Sequence, residues 1–265
     1  MKIIKNGDVP FNPGNKRRCQ MHKSLVLTTL FLAFFAWEAA ASMDFEKDII
    51  TTSKGDLEIT FIGHGSVMFT YKNIVVQVDP FSKLADYSTF PKANLILITH
   101  EHGDHLDLGA LEKVRTERTI LILTKTCAER VSGGIVMKNG DVETVGGLAI
   151  EAIPAYNLVH MRSEGVPFHP KGIGNGYVIT FGDKRVYLAG DTENIPEMKN
   201  LKNIDYAFLP MNLPYTMTPE MAADAAKAFK PKVLYPYHFG DTDTTQLVEL
   251  MKDTPEVEVR VRNMK

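Results

Sequence analysis

The sequence predicts an α/β protein built on two sheets with helices covering them. β-rich runs crowd the first part of the folded region, and strands alternate with helices after it. Each such element has an apolar face that must be buried against another layer. A third observation sets where the domain begins. Residues 1–41 combine a basic stretch (Lys16, Arg17, Arg18, Lys23), an apolar run from Leu25 to Trp37, and the small residues Ala39-Ala40-Ala41. That order is expected of a cleaved signal peptide. The 13-residue length of this run falls short of the roughly 20 that span a bilayer. Residues 1–20 have the character of an upstream extension, because Met21 begins an ordinary signal peptide by itself.

The domain is then 42–265, long enough for one large core. It would be exported, periplasmic or extracellular, or membrane-anchored if the leader stays on. No transmembrane helix is expected after cleavage. Between 42 and 265 there are 24 Lys and Arg against 30 Asp and Glu, a formal charge of −6. Such a surface repels phosphate backbones, which argues against general nucleic-acid binding. Only Cys127 remains in this region, so no internal disulfide is available.

"LEITFIG" (57–63), "VMFTY" (67–71) and "IVVQVDP" (74–80) are β-rich and separated by turn signals. "ANLILITH" (93–100) is too short for a helix and is expected as a buried strand. "LDLGALEKVRT" has helical spacing of Leu108, Leu111 and Val114. "TILILT" (119–124), "LAIEAIPAYN" (148–157), "GYVITFG" (176–182), "KRVYLAGD" (184–191), "IDYAFLP" (204–210) and "KVLYPYHFG" (232–240) are further strands. "GIGNG" (172–176) leads into a strand rather than a helix, so it is expected as a flexible loop. "TPEMAADAAKAFK" (218–230) is a helix with Thr218 as cap and Pro219 in its first turn. "DTTQLVELMKD" (243–253) is another, capped by Asp243.

The chemistry is concentrated in "THEHGDHLD" (99–107), which holds three of the eight histidines. His100 and His102 are two apart, and in extended chain they point to one side. Gly103 permits a turn, and Asp104 and His105 are expected to open the following helix. Imidazole nitrogen with carboxylate oxygen suits Zn²⁺, and less exclusively Mn or Fe. No G-x-S-x-G elbow or Walker loop occurs in the chain.

His100-Glu101-His102-Gly103-Asp104-His105 resembles the H-x-H-x-D-H motif of the metallo-β-lactamase superfamily. "LAGDT" (188–192) and "YPYHFG" (235–240) follow in that family's order, and "FIGHGSVMF" (61–69) and "VDPF" (78–81) are similar to its branch of ascorbate-6-phosphate lactonases. The resemblance covers essentially residues 56–265. It implies a four-layer αββα sandwich with the site at the sheet edges. It also implies that His100 and His102 bind one metal, that Asp104, His105 and His238 bind another, and that Asp191 bridges them. One or two zinc ions would activate a hydroxide on an ester, lactone or phosphodiester of a small molecule, with Asp104 orienting it.

The chain departs from that pattern where the family has a further histidine: Tyr156-Asn157 stands there. His169 is the candidate replacement ligand, His160 a weaker one, and a single-metal enzyme is the outcome if neither reaches. His64, in the Gly63–Gly65 turn, is expected to be structural. Asp79 either supports a ligand imidazole or caps a turn. Tyr156, Asn157 and Lys171 are candidate substrate contacts. Two rival functions remain open: a phospholipase- or nuclease-type phosphodiesterase, and a non-catalytic metal-binding or sensing module.

Overall fold

A computed structural model describes residues 44–265. The leader expected at 1–41 lies outside the described residues. Two seven-stranded sheets form the centre. The first runs in chain order: β1 (Lys47–Thr52), β2 (Gly55–Gly63), β3 (Ser66–Tyr71), β4 (Ile74–Val78), β5 (Leu95–Leu97), β6 (Ile120–Leu123) and β7 (Ile135–Val136). Strands β1 to β4 pair antiparallel, and β4 to β7 pair parallel. Then come β8 (Val142–Val145), β9 (Leu148–Ala155) and a small hairpin, β10 (Met161–Ser163) with β11 (Val166–Pro167). The second sheet is completed by β12 (Gly174–Phe181), β13 (Lys184–Leu188), β14 (Tyr206–Pro210), β15 (Val233–Tyr237) and β16 (Glu258–Val259). Its spatial order is β16-β15-β14-β13-β12-β9-β8.

Residue alternation explains the layering. Leu95 and Leu97 of β5 enter the core between the sheets, whereas Ile96 and Ile98 face a second core on the outside. Val186 and Leu188 of β13 face the central core, and Tyr187 faces the opposite way. Strands buried on both faces read as unbroken apolar runs. The outer faces are covered by α1 (Leu108–Val114) and α2 (Lys125–Ala128) on one side, and by α3 (Pro219–Phe229) and α4 (Thr244–Leu250) on the other. This is the αββα sandwich that the resemblance implied. Each fully buried large side chain of these cores contributes about 1.5–3 kcal/mol.

Local chemistry sets the helix ends. Thr218 accepts the Met221 amide at the start of α3, with Pro219 in the first turn. Ala222, Ala225, Ala226 and Phe229 form its buried stripe, the spacing of one helical face. Helix α1 starts two residues later than expected. Asp107 is its cap and accepts the Gly109 and Ala110 amides, so Asp104 and His105 lie in the preceding turn. The "GIGNG" expectation is also corrected, since Gly174 to Gly176 belong to β12. A Cβ at Gly176 would sit 2.6 Å from the Ala189 carbonyl oxygen. That glycine permits close strand approach rather than flexibility. Among the described residues, no helix is long and apolar enough to cross a membrane.

Candidate metal centre

The site gathers at one end of both sheets, where short segments leave the strands. His100 follows β5, Asp191 follows β13, and His238 follows β15. Two groups of donors result: His64, Asp104, His105 and His238 in one, and His100, His102, His169 and Asp191 in the other. Within each group the candidate donor atoms lie within 4.8 Å of one another.

Asp191 faces both groups with different oxygens. Its Oδ1 is 3.4 Å from His105 Nε2 and 3.5 Å from His238 Nε2. Its Oδ2 is 3.3 Å from His169 Nε2 and 3.9 Å from His100 Nε2. His238 Nε2 lies 3.1 Å from His105 Nε2, and Asp104 Oδ2 lies 3.6 and 3.8 Å from these two nitrogens. Four ligands bonded tetrahedrally at about 2.0–2.1 Å stand ~3.3 Å apart. His105, His238, Asp104 and Asp191 therefore approximate the edges of such a tetrahedron before any ion is considered. In the other group His100 Nε2 and His102 Nδ1 are 3.1 Å apart. Asp191 Oδ1 and His169 Nε2 are buried without a hydrogen-bond partner, a costly state that a cation relieves.

Charge balance points the same way. Burial disfavours a charged Asp191, but His238 and His105 outweigh it and hold its carboxyl well below the ordinary range. Burial likewise opposes a charge on His105, yet Asp191 and Asp79 raise its pKa well above the usual imidazole value. The two carboxylates thus call for positive charge at that place. Burial, reinforced by His105, keeps His100 well below its ordinary pKa. Burial and His169 lower His102. Neutral imidazole is the form that binds a metal.

The supports differ along the chain. Asp79 Oδ2 accepts from His105 Nδ1 at 2.8 Å, while its carboxylate also takes the Thr99 amide and hydroxyl. That decides between the two roles open for Asp79: it holds an imidazole of the cluster. Backbone strain accompanies the arrangement, because His64, Asp79 and His238 all have left-handed φ values of 50°, 43° and 45°. Each costs about 1–3 kcal/mol and persists only where surroundings enforce it. Gly65 makes room here, since a Cβ there would lie 2.9 Å from His105 Cε1.

His64 is not merely structural. Its Nε2 lies 3.0 Å from Asp104 Oδ2, and its ring sits 3.6 Å from that of His238, centroid to centroid. The loop after β9 folds His169 back beside His100 and His102, with ring centroids 5.1 and 4.9 Å away. His160 is turned elsewhere, with Nδ1 2.8 Å from Glu193 Oε1.

The three expected substrate contacts are engaged in holding loops. Asn157 is buried; its Oδ1 accepts from His169 Nδ1 at 2.7 Å and from the His169 amide at 2.9 Å. This orients the ring with Nε2 toward Asp191. The Asn157 amide group donates to Glu193 and to the Tyr215 carbonyl. Tyr156 donates its hydroxyl to Glu197, and Lys171 pairs with the same carboxylate at 2.9 Å. Sequence reasoning passed over Glu193. Fully buried, it accepts the amides of Leu158, Val159 and His160 besides the Asn157 side chain. Its place two residues after Asp191 was the available signal.

An open cavity of about 650 Å³ exposes this cluster, with His102, Asp104, Asp191 and His238 on its floor.

A family model described as a beta-lactamase superfamily domain matches residues 58–238. A UPF0173 metal-dependent hydrolase of Desulforamulus reducens is 30% identical over 193 residues, covering 69% of this chain and 85% of the relative. A crystal structure of a protein from Parabacteroides distasonis, carrying the name metal-dependent hydrolase, is 51% identical with a TM-score of 0.80, covering 84% of this chain and all of the other. Igni18, a metallo hydrolase from Ignicoccus hospitalis, is 25% identical with a TM-score of 0.64, covering 77% and 94%.

Proposed function

This chain belongs to the beta-lactamase superfamily, among its metal-dependent hydrolases, and from that premise we propose a two-zinc hydrolase acting on an ester, lactone or phosphodiester of a small molecule. The observation that carries the proposal is Asp191, whose two oxygens face two separate donor groups. His100, His102, His169 and Asp191 would hold one ion. Asp104, His105, His238 and the other oxygen of Asp191 would hold the second, with His64 against Asp104. Zinc in such a site acts as a Lewis acid and lowers the pKa of water to about 7.

The chain's own residues supply the rest. Asp79 holds His105 with its Nε2 toward the cluster, and Asn157 does the same for His169. Asp104 is the most exposed carboxylate of the cluster and lines the cavity, so it is placed to hold or relay a proton beside a substrate. The acidic balance favours a small molecule over nucleic acid. Residues 1–41 are proposed as an export leader, for which N-terminal sequencing of the mature protein is the check.

Metal analysis of the purified protein tests the site. Wild type is expected to carry two equivalents and His169→Ala one; an unchanged count rejects His169 as a ligand. A screen across lactone, phosphodiester and thioester probes tests the activity. Full metal loading without turnover of any class would reject the hydrolase.

A further inference from the structure

The cavity floor is made of donors, but its wall is different. Arg162 in β10, Phe168 and Tyr215 line it beside the cluster. The guanidinium of Arg162 lies 5.8 Å from the Phe168 ring centroid, and Phe168 packs edge-on against Tyr215 at 5.0 Å. An aromatic face steadies a cation without neutralising it. Several other cations are neutralised by carboxylates: Arg185 meets Glu151, Arg262 meets Asp48, and Lys171 meets Glu197. Among the described residues no carboxylate forms an ion pair with Arg162. It therefore stands as a permanent charge lining a cavity in an acidic domain.

Lys171 was the one cation among the expected substrate contacts, and it is paired with Glu197. Arg162 has what binding an anion requires. Its planar fork matches a carboxylate or a phosphate through two parallel hydrogen bonds. Phe168, in contact with both Arg162 and Tyr215, gives the same cavity an apolar wall beside the donor cluster.

We infer that Arg162 is an anion subsite, and that the substrate carries a carboxylate or phosphate group joined to its scissile bond through an apolar portion lying on Phe168 and Tyr215. This rests on the hydrolase reading only for the word substrate; the subsite itself is a binding property. Three probes of increasing charge test it on the zinc-loaded protein: 3-phenylpropionate, benzylsuccinate and 2-benzyl-3-phosphonopropionate. The second anionic group is expected to raise affinity about tenfold or more, the scale of a charge-assisted hydrogen bond. Arg162→Gln brings that ratio close to one, and Arg162→Lys restores part of it. The larger gain, carboxylate or phosphonate, identifies the anion. Circular dichroism and metal content of the variants control for folding. Equal binding of the three probes, no binding of any, or a gain that survives Arg162→Gln overturns the inference. Absence of hydrolysis alongside the expected binding ratio rejects the hydrolase reading and leaves the subsite standing.

Discussion

The two donor groups share Asp191 and differ in what holds them. Around His105 and His238 the support comes from the sheets themselves. Asp79 follows β4, His238 follows β15, and the His238 amide donates to the His64 carbonyl. Around His169 the support is a relay across a loop, in which Glu193 holds Asn157 and Asn157 holds His169. The difference teaches that similar donors can be presented by a strained sheet edge or by a hydrogen-bonded loop. A sheet edge is held by its core, whereas a loop is held by a few side chains and is easier to undo one bond at a time.

Asp191→Ala should have the largest effect, because it removes a donor from both groups. Hydrolysis is expected to fall by more than the ~100-fold that losing a supporting partner costs, and both metal equivalents should weaken. Retention of one equivalent at wild-type affinity would break the bridging role. Asp79→Ala and Asn157→Ala come next. Each should lower metal affinity about 10–100-fold, but at different equivalents in a stepwise chelator titration. If both weaken the same equivalent, the contrast between the groups is wrong.

Glu193→Gln places an amide group where backbone donors converge. It should cost about 1–3 kcal/mol of stability. Faster hydrogen exchange at residues 158–160 would locate that loss in the loop, and uniform exchange across the sheets would contradict it. The smallest effect on the metal centre belongs to Asp48→Asn, which lies outside both groups. Asp48 accepts from Tyr235 at 2.5 Å and from Arg262 at 2.8 Å. Burial opposes its charge, but these partners outweigh it and lower its pKa below 3.8. A carboxyl depressed in the folded state stabilises above its unfolded pKa, and that stability disappears as pH falls through the folded value. Wild type should therefore exceed Asp48→Asn by about 1–3 kcal/mol near pH 7. Below about pH 4 the gap closes. Denaturant melts across pH measure it, with metal content unchanged throughout.

Much of the fold was legible because strands buried on both faces leave apolar runs, as in "LIL" of β5 and "YVITF" of β12. What was passed over is short or at an edge: β1 alternates buried and exposed residues, β7 is two exposed residues, and β16 is two residues long. Such strands exist because a neighbour offers hydrogen bonds, and their own composition carries little signal.

By itself the sequence determined the His100–His105 cluster, since its donors are adjacent in the chain and their spacing is visible without a fold. The family resemblance carried by that cluster added Asp191 and His238. Only the tertiary structure decided that Asp79 supports His105, that His64 joins Asp104, and that Asn157 and Lys171 hold loops rather than line the cavity. The reason is physical. Residue type states which hydrogen bonds and charges a side chain can offer, but its partner is whatever the folded chain brings within about 3 Å, and here those partners lie 12 to 40 residues away.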